Sequence, residues 1–148
     1  MPELSLRERA LGFLTRREYS RLELERKLAP HVEDETELET LLDDFAKRGW
    51  LSEQRFIEQM IHARGSKYGV QRITQELKEK GVSAEAVAAV LPQLKEDELE
   101  TARAVWTKKF GVLPSNANER AKQMRFLASR GFSQNIIWKV LRQQEQDQ

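Results

Sequence analysis

The chain has 148 residues, 39% hydrophobic and 33% charged, enough for one domain or a few small repeats. It contains no cysteine, which excludes a disulfide framework and a zinc–thiolate site, and no stretch approaches the roughly 20 apolar residues of a membrane span. Its start, Met1-Pro2-Glu3-Leu4-Ser5, has neither the basic region nor the apolar run of a signal peptide, so a cytoplasmic protein is expected.

Apolar residues recur at steps of three and four and almost nowhere in alternation, which predicts an all-α chain. Punctuation divides it into nine predicted helices. The first covers 5–17. The second, 20–29, opens on Ser20 with Glu23 three residues on, the spacing of a capping box. The third, 34–48, opens on Asp34 with Glu37 and carries Leu38, Leu41, Leu42 and Phe45 on one stripe. The fourth, 52–65, has Ser52 as its N-cap. The fifth, 69–80, carries Val70, Ile73 and Leu77, and the sixth, 83–91, follows Ser83. The seventh, 96–110, carries Leu99, Ala102, Trp106 and Phe110. The eighth, 117–130, opens on Asn116 with Glu119, and the ninth, 133–145, on Ser133. Gly49, Gly81 and Gly131 stand where a left-handed residue ends a helix, and Pro30, Pro92 and Pro114 oppose continuation.

These helices repeat. Leu77, Gly81, Val82, Ser83, Val87, Val90 and Leu91 align without a gap, at an offset of 50, with Leu127, Gly131, Phe132, Ser133, Ile137, Val140 and Leu141. Tyr19, Leu24 and Leu28 match Tyr68, Ile73 and Leu77 at an offset of 49. The first unit then departs, with Ala29-Pro30-His31 in place of a basic–glycine turn. The expected organisation is three tandem three-helix repeats, 1–50, 51–95 and 96–148. One such unit buries too little apolar surface alone, so neighbours must share their core in an elongated, curved rod, expected to be a monomer.

Catalytic patterns do not emerge. His31 and His62 are 31 residues apart with no ligand spacing around them, and read as ordinary surface histidines. Glu33, Asp34, Glu35, Glu37 and Glu39 lack the glycine and alternating oxygens of a calcium loop, and suit a solvated helix start. Gly65-Ser66-Lys67-Tyr68-Gly69 is too short for a phosphate loop. No enzyme, metal or cofactor is expected.

Charge is the informative feature. Net charge is +1, yet Glu33 to Asp44 holds seven acids and no base, while Thr101 to Gln144 holds nine bases and one acid. On the last helix Ile136, Ile137, Val140 and Leu141 share one face, and Trp138, Lys139 and Arg142 fall on the other. On the helix before it, Lys122 and Arg130 lie off the apolar stripe, with Arg125 at its flank. Candidate binding residues are therefore Arg103, Lys108, Lys109, Lys122, Arg125, Arg130, Trp138, Lys139 and Arg142, with Arg72 and Lys78 in the middle unit as a second surface. Bases beside an outward tryptophan suit a phosphate backbone with a stacked base, or an acidic protein groove. The helix–turn–helix look of 69–91 and 117–141 is weak evidence for base reading, because Ala84-Glu85-Ala86-Val87-Ala88-Ala89 has no side chain suited to a base edge.

Gly49-Trp50-Leu51-Ser52 with Phe56, then Gly69-Val70-Gln71-Arg72-Ile73-Thr74-Gln75-Glu76-Leu77 with Gly81-Val82, resembles the signature of the RecX family. Phe126-Leu127-Ala128-Ser129-Arg130-Gly131-Phe132 is similar too, as is Ala10-Leu11-Gly12-Phe13-Leu14 through Ser20, Leu24 and Leu28. Trp50 stands where the family usually has tyrosine or phenylalanine, and Ser52-Glu53 where it has a more acidic pair. The resemblance implies a cofactor-free regulator that binds the filament of the RecA recombinase on DNA. It would restrain recombination, ATP hydrolysis and coprotease activity there, within DNA repair and the SOS response. Single- and double-stranded DNA would be met weakly or through the filament. From the residues alone, a free nucleic-acid-binding repeat module remains open.

Overall fold

A computed structural model describes residues 3–146. Met1, Pro2, Asp147 and Gln148, where the leader reading begins and the outer repeats have their limits, lie outside the described residues. Eight α-helices follow in order: α1 (Leu6–Leu14), α2 (Arg21–Leu28), α3 (Glu35–Lys47), α4 (Glu53–Arg64), α5 (Val70–Glu79), α6 (Ala84–Lys109), α7 (Ala117–Ser129) and α8 (Gln134–Gln146). A 3-10 turn, Ala29–His31, follows α2, and no strand occurs among the described residues. The fold is all-α, a helical-repeat rod.

The helix starts follow from side-chain caps. Ser20 Oγ accepts from the Glu23 amide at 3.1 Å, while Glu23 Oε1 accepts from the Ser20 amide at 3.1 Å, a reciprocal capping box. Ser5 and Glu8 form a second one. Ser52, Ser83 and Asn116 each accept one amide of the following first turn. Asp34 bonds the Thr36 amide at 2.9 Å.

The nine-helix expectation fails at one point: the sixth and seventh predicted helices are a single helix, α6, of 26 residues with Pro92 inside it. Proline in a helix interior removes one hydrogen bond and costs about 3 kcal/mol. Pro92 and Ala88, one turn before it, are both exposed, so the unpaired carbonyl lies on the wet side. Packing on either side of the proline outweighs the loss. Val87 and Leu94 are buried in one apolar cluster, and Ala102 and Trp106 in the next, so α6 runs through the expected boundary at 95–96 without a break. Pro30 is also accommodated, in the 3-10 turn.

Three apolar clusters succeed one another along the chain. The N-terminal one gathers Ala10, Leu24, Leu28, Leu42 and Phe45 from α1–α3. The middle one gathers Phe56, Met60, Ile73, Leu77 and Val87 from α4, α5 and the start of α6. The C-terminal one gathers Trp106, Leu127, Ile137, Val140 and Leu141 from the end of α6, α7 and α8. The 50-residue register is visible in these positions: Leu77 and Leu127 are both fully buried, and Gly81 and Gly131 have φ of +80° and +92°.

Leu77→Ala and Leu127→Ala should each lower stability by about 2–5 kcal/mol in urea titrations, as large-to-small changes in a packed core do. Pro92→Ala should raise it by about 2 kcal/mol, because the helix is already continuous there and regains its hydrogen bond. An unchanged or lowered midpoint for Pro92→Ala would contradict the continuous α6.

Candidate functional site

The site begins with a joint between helices. The first amides of a helix have no partner within it. At α5, three of these take partners from the C-terminal cluster: Gly69 N–H donates to the Arg130 carbonyl at 2.8 Å and Gln71 N–H to the Gly131 carbonyl at 3.3 Å. Val70 N–H donates to Glu98 Oε2 at 2.7 Å, and Glu98 is buried, 8% exposed. The start of α5 is thus docked on the α7–α8 turn. Glycine is needed on both sides. A β-carbon on Gly69 would overlap the Gly131 carbonyl, and one on Gly131 would overlap the Arg72 side chain. We call this joint the seam.

Over the seam lies a cleft of about 560 Å³, lined by Ser66, Lys67, Tyr68, Ala104, Val105, Lys108, Lys109, Phe126 and Arg130. Its charged members are three lysines and one arginine, and it has no acid. Two rings hold two of these cations: the Arg130 guanidinium lies 5.3 Å from the Tyr68 centroid and 5.0 Å from that of Phe126, and Lys109 Nζ lies 5.2 Å from Phe126. Arg72 packs on Tyr68 at 4.3 Å and donates to the Ser129 carbonyl at 3.2 Å.

The sequence candidates therefore separate into groups. Lys108, Lys109 and Arg130 line the cleft, and Arg72 sits behind Tyr68. Trp138, Lys139 and Arg142 are exposed on α8, with Arg142 4.7 Å from the Trp138 ring, which is 47% exposed. No α8 residue lines the cleft. Lys122 and Arg125 are exposed on α7, and Lys78 on α5. Arg103 stands apart: it is half-buried, donates to the Gln143 side chain of α8, and its Nε is buried without a partner among the described residues. Its guanidinium serves the α6–α8 contact.

Lys67, Tyr68, Phe126 and Glu98 were not among the sequence candidates. Glu98 carried a legible signal, since it falls on the buried stripe Leu94, Ala102, Trp106 at steps of four. An acid on such a stripe requires a donor.

The N-terminal half has a different electrostatic character. Arg7 and Arg48 both pair with Asp44, Arg21 with Asp43, Arg55 with Glu18, and Arg17 and Lys80 with Glu23. Burial pushes the Glu23 carboxyl up, but the Arg17 hydrogen bond, the Ser20 amide and the nearby Lys80 outweigh it and hold it below its ordinary range. Among the described residues, Arg120, with Glu145, is the ion-paired base between Thr101 and Gln144, where nine bases stand. No group of three potential metal ligands occurs among the described residues, and no helix there is long and apolar enough to cross a membrane.

Residues 52–91 match the second three-helix domain of RecX, and residues 96–141 the third. The regulatory protein RecX of Leptothrix cholodnii is 50% identical over 141 residues, which is 95% of this chain and 90% of that one. That of Ralstonia nicotianae is 48% identical, covering 93% and 87%, and that of Neisseria gonorrhoeae 42%, covering 95% and 92%. Among solved structures, RecX from Lactobacillus salivarius superposes with a TM-score of 0.78 over 93% of each chain at 18% identity, a likeness of fold.

Glu98→Ala should lower stability by about 1–3 kcal/mol by leaving the Val70 amide without its acceptor, whereas Glu98→Gln, which keeps a side-chain oxygen, should cost less. Urea midpoints for the two variants check this. Equal midpoints for Glu98→Ala and the parent chain would mean that the seam does not depend on the carboxylate.

Proposed function

Because this chain belongs to the RecX family of regulatory proteins, we propose that it binds the RecA–DNA filament and restrains the recombination, ATP hydrolysis and coprotease activities of that filament. The observation that carries the reading is the likeness to proteins named regulatory protein RecX over nearly the full length of the chain. It acts in the cytoplasm by binding, as a monomer of three three-helix domains, without catalysis or a cofactor.

The outer face of the C-terminal domain is the docking surface. Its support is physical: Lys122, Lys139 and Arg142 are exposed and carry no ion pair among the described residues. Exposed cations without carboxylate partners keep their charge for an incoming anion, and Trp138 beside Arg142 supplies an apolar anchor. A recombinase filament offers both acidic protein and DNA phosphate to such a face. The alternative, a free nucleic-acid-binding module, is supported by the basic cleft and predicts equal binding to bare and coated DNA.

Affinity for DNA coated with recombinase should exceed that for bare DNA. Lys122→Glu, Lys139→Glu and Arg142→Glu combined should stay folded, since exposed substitutions lie within about ±0.5 kcal/mol. That variant should lose affinity for the filament and fail to slow its ATP hydrolysis. Glu35→Lys with Glu37→Lys, exposed acids outside the ion pairs, is the control and should act as the parent chain does. Inhibition by the triple variant equal to the parent would move the docking surface elsewhere, and equal binding to bare and coated DNA would favour the free module.

A further inference from the structure

We propose that the cleft over the seam is a site for the phosphate backbone of a single nucleic-acid strand, separate from the α8 face. This rests on the nucleic-acid part of the functional reading and is independent of its recombinase part.

The first support is uncompensated charge. Arginines lie on aromatic rings in both halves of the molecule, with opposite electrical outcomes. In the N-terminal half each such arginine also has an acid. Arg17 stacks on Tyr19 at 3.6 Å and pairs with Glu23, while Arg7 and Arg48 stack on Trp50 at 5.5 and 5.1 Å and pair with Asp44. At the seam, Arg64 lies on Tyr68 at 5.7 Å and pairs with Glu76, but Arg130 on Tyr68 and Phe126 has no ion pair among the described residues, and neither do Lys67, Lys108 and Lys109. A ring face holds a cation in position without cancelling its charge. The cleft thus presents unneutralised cations, two of them, Lys109 and Arg130, held in position by rings.

A solvated helix end does not account for it. Lys108 and Lys109 occupy the last turn of α6, where the helix dipole favours cations. Lys67 comes from the loop before α5 and Arg130 from the end of α7, so three separate elements bring their charge to one cleft.

The geometry also selects the ligand. Tyr68 already carries Arg72 and Arg130, and Phe126 carries Arg130 and Lys109, so the rings are not free platforms for a base. Recognition falls to phosphates and is independent of sequence. Lysines act as point charges on flexible stems, so they follow the phosphates of a strand without demanding a fixed bidentate geometry. A volume of about 560 Å³ is on the scale of a small-molecule site, which admits a few nucleotides of a strand rather than a duplex.

Neighbouring acids fix the direction. The adjoining cavity, which shares Ser66, Tyr68 and Ala104, is lined by Asp97, Glu98 and Glu100 and would repel phosphate. Away from it, Lys122, Phe126 and Arg130 stand at steps of four on one stripe of α7, which carries positive charge about 12 Å further at 1.5 Å per residue. The strand runs from the seam along α7 towards Lys122.

The test is fluorescence anisotropy of a labelled oligothymidylate with the full chain and no recombinase. Lys67→Ala, Lys108→Ala and Lys109→Ala combined should weaken binding about tenfold or more. It should also flatten the slope of log K against log salt by about 2, at roughly 0.7 per lost single-strand contact. Lys67→Ala with Lys108→Ala, which leaves Phe126 covered, should show the same trend at about two-thirds of the slope change. Arg16→Ala with Arg26→Ala, exposed N-terminal bases outside the ion pairs, should leave binding within about twofold. The proposal is overturned if the parent chain does not bind the oligonucleotide, if the cleft variants bind as the parent does, or if the Arg16 and Arg26 pair loses as much. Loss of poly-glutamate binding by the cleft variants with oligonucleotide binding retained would overturn it in favour of an acidic protein segment. Since no recombinase is present, failure here leaves the filament reading to its own test.

Discussion

A helix start normally leaves its first amides to a local side-chain cap or to water. In this protein the start of α5 gives those amides to backbone and side-chain acceptors 28 to 61 residues away in sequence: Glu98, Arg130 and Gly131. The rest of the C-terminal two-thirds depends on that exchange. It sets Tyr68 against α7, where Arg130 bridges the Tyr68 and Phe126 rings, and it is possible because two backbones meet where neither has a β-carbon. Helix α6 braces the same joint, since it belongs to the middle cluster before Leu94 and to the C-terminal cluster after Leu99, with Glu98 at the crossing.

Electrostatics divides the molecule differently from packing. Arg7, Arg17, Arg21, Arg48 and Arg55 in the N-terminal part are each tied to an acid, so much of that surface is internally neutralised. Exposed pairs of this kind add little stability, typically up to about 1 kcal/mol, but they do remove charge from the reach of a partner. Among the described residues the C-terminal bases, Arg120 with Glu145 excepted, lack such partners, and the net charge of +1 conceals this contrast. The distribution of acids, rather than that of bases, produces the difference between the two ends.

The repeat was legible because it is written in local rules. A buried leucine, a left-handed glycine and a capping serine recur 50 residues apart, and each stands in its expected role at Leu77, Gly81 and Ser83 and again at Leu127, Gly131 and Ser133. Pro92 misled for the same reason: a local rule ends the helix, and packing against two clusters overrides it. The seam left no local trace. Gly69 has φ of −81°, which any residue adopts, and its need for hydrogen as a side chain arises from Gly131, far along the chain. The basic block was legible as charge, but its division was not. Arg103 lies beside the buried Ala102, and its inward turn is decided by α8, which the sequence of α6 does not describe.

Hydrogen exchange of the full chain tests the seam most directly. Amides of a free helix start exchange quickly, whereas those of Gly69, Val70 and Gln71 should be protected here, opening together with the Leu127 amide in the C-terminal core. Exchange of those three at the rate of an unstructured peptide, with Leu127 still protected, would contradict the account, because the two clusters would then be joined by α6 alone and the cleft between them would have no fixed shape.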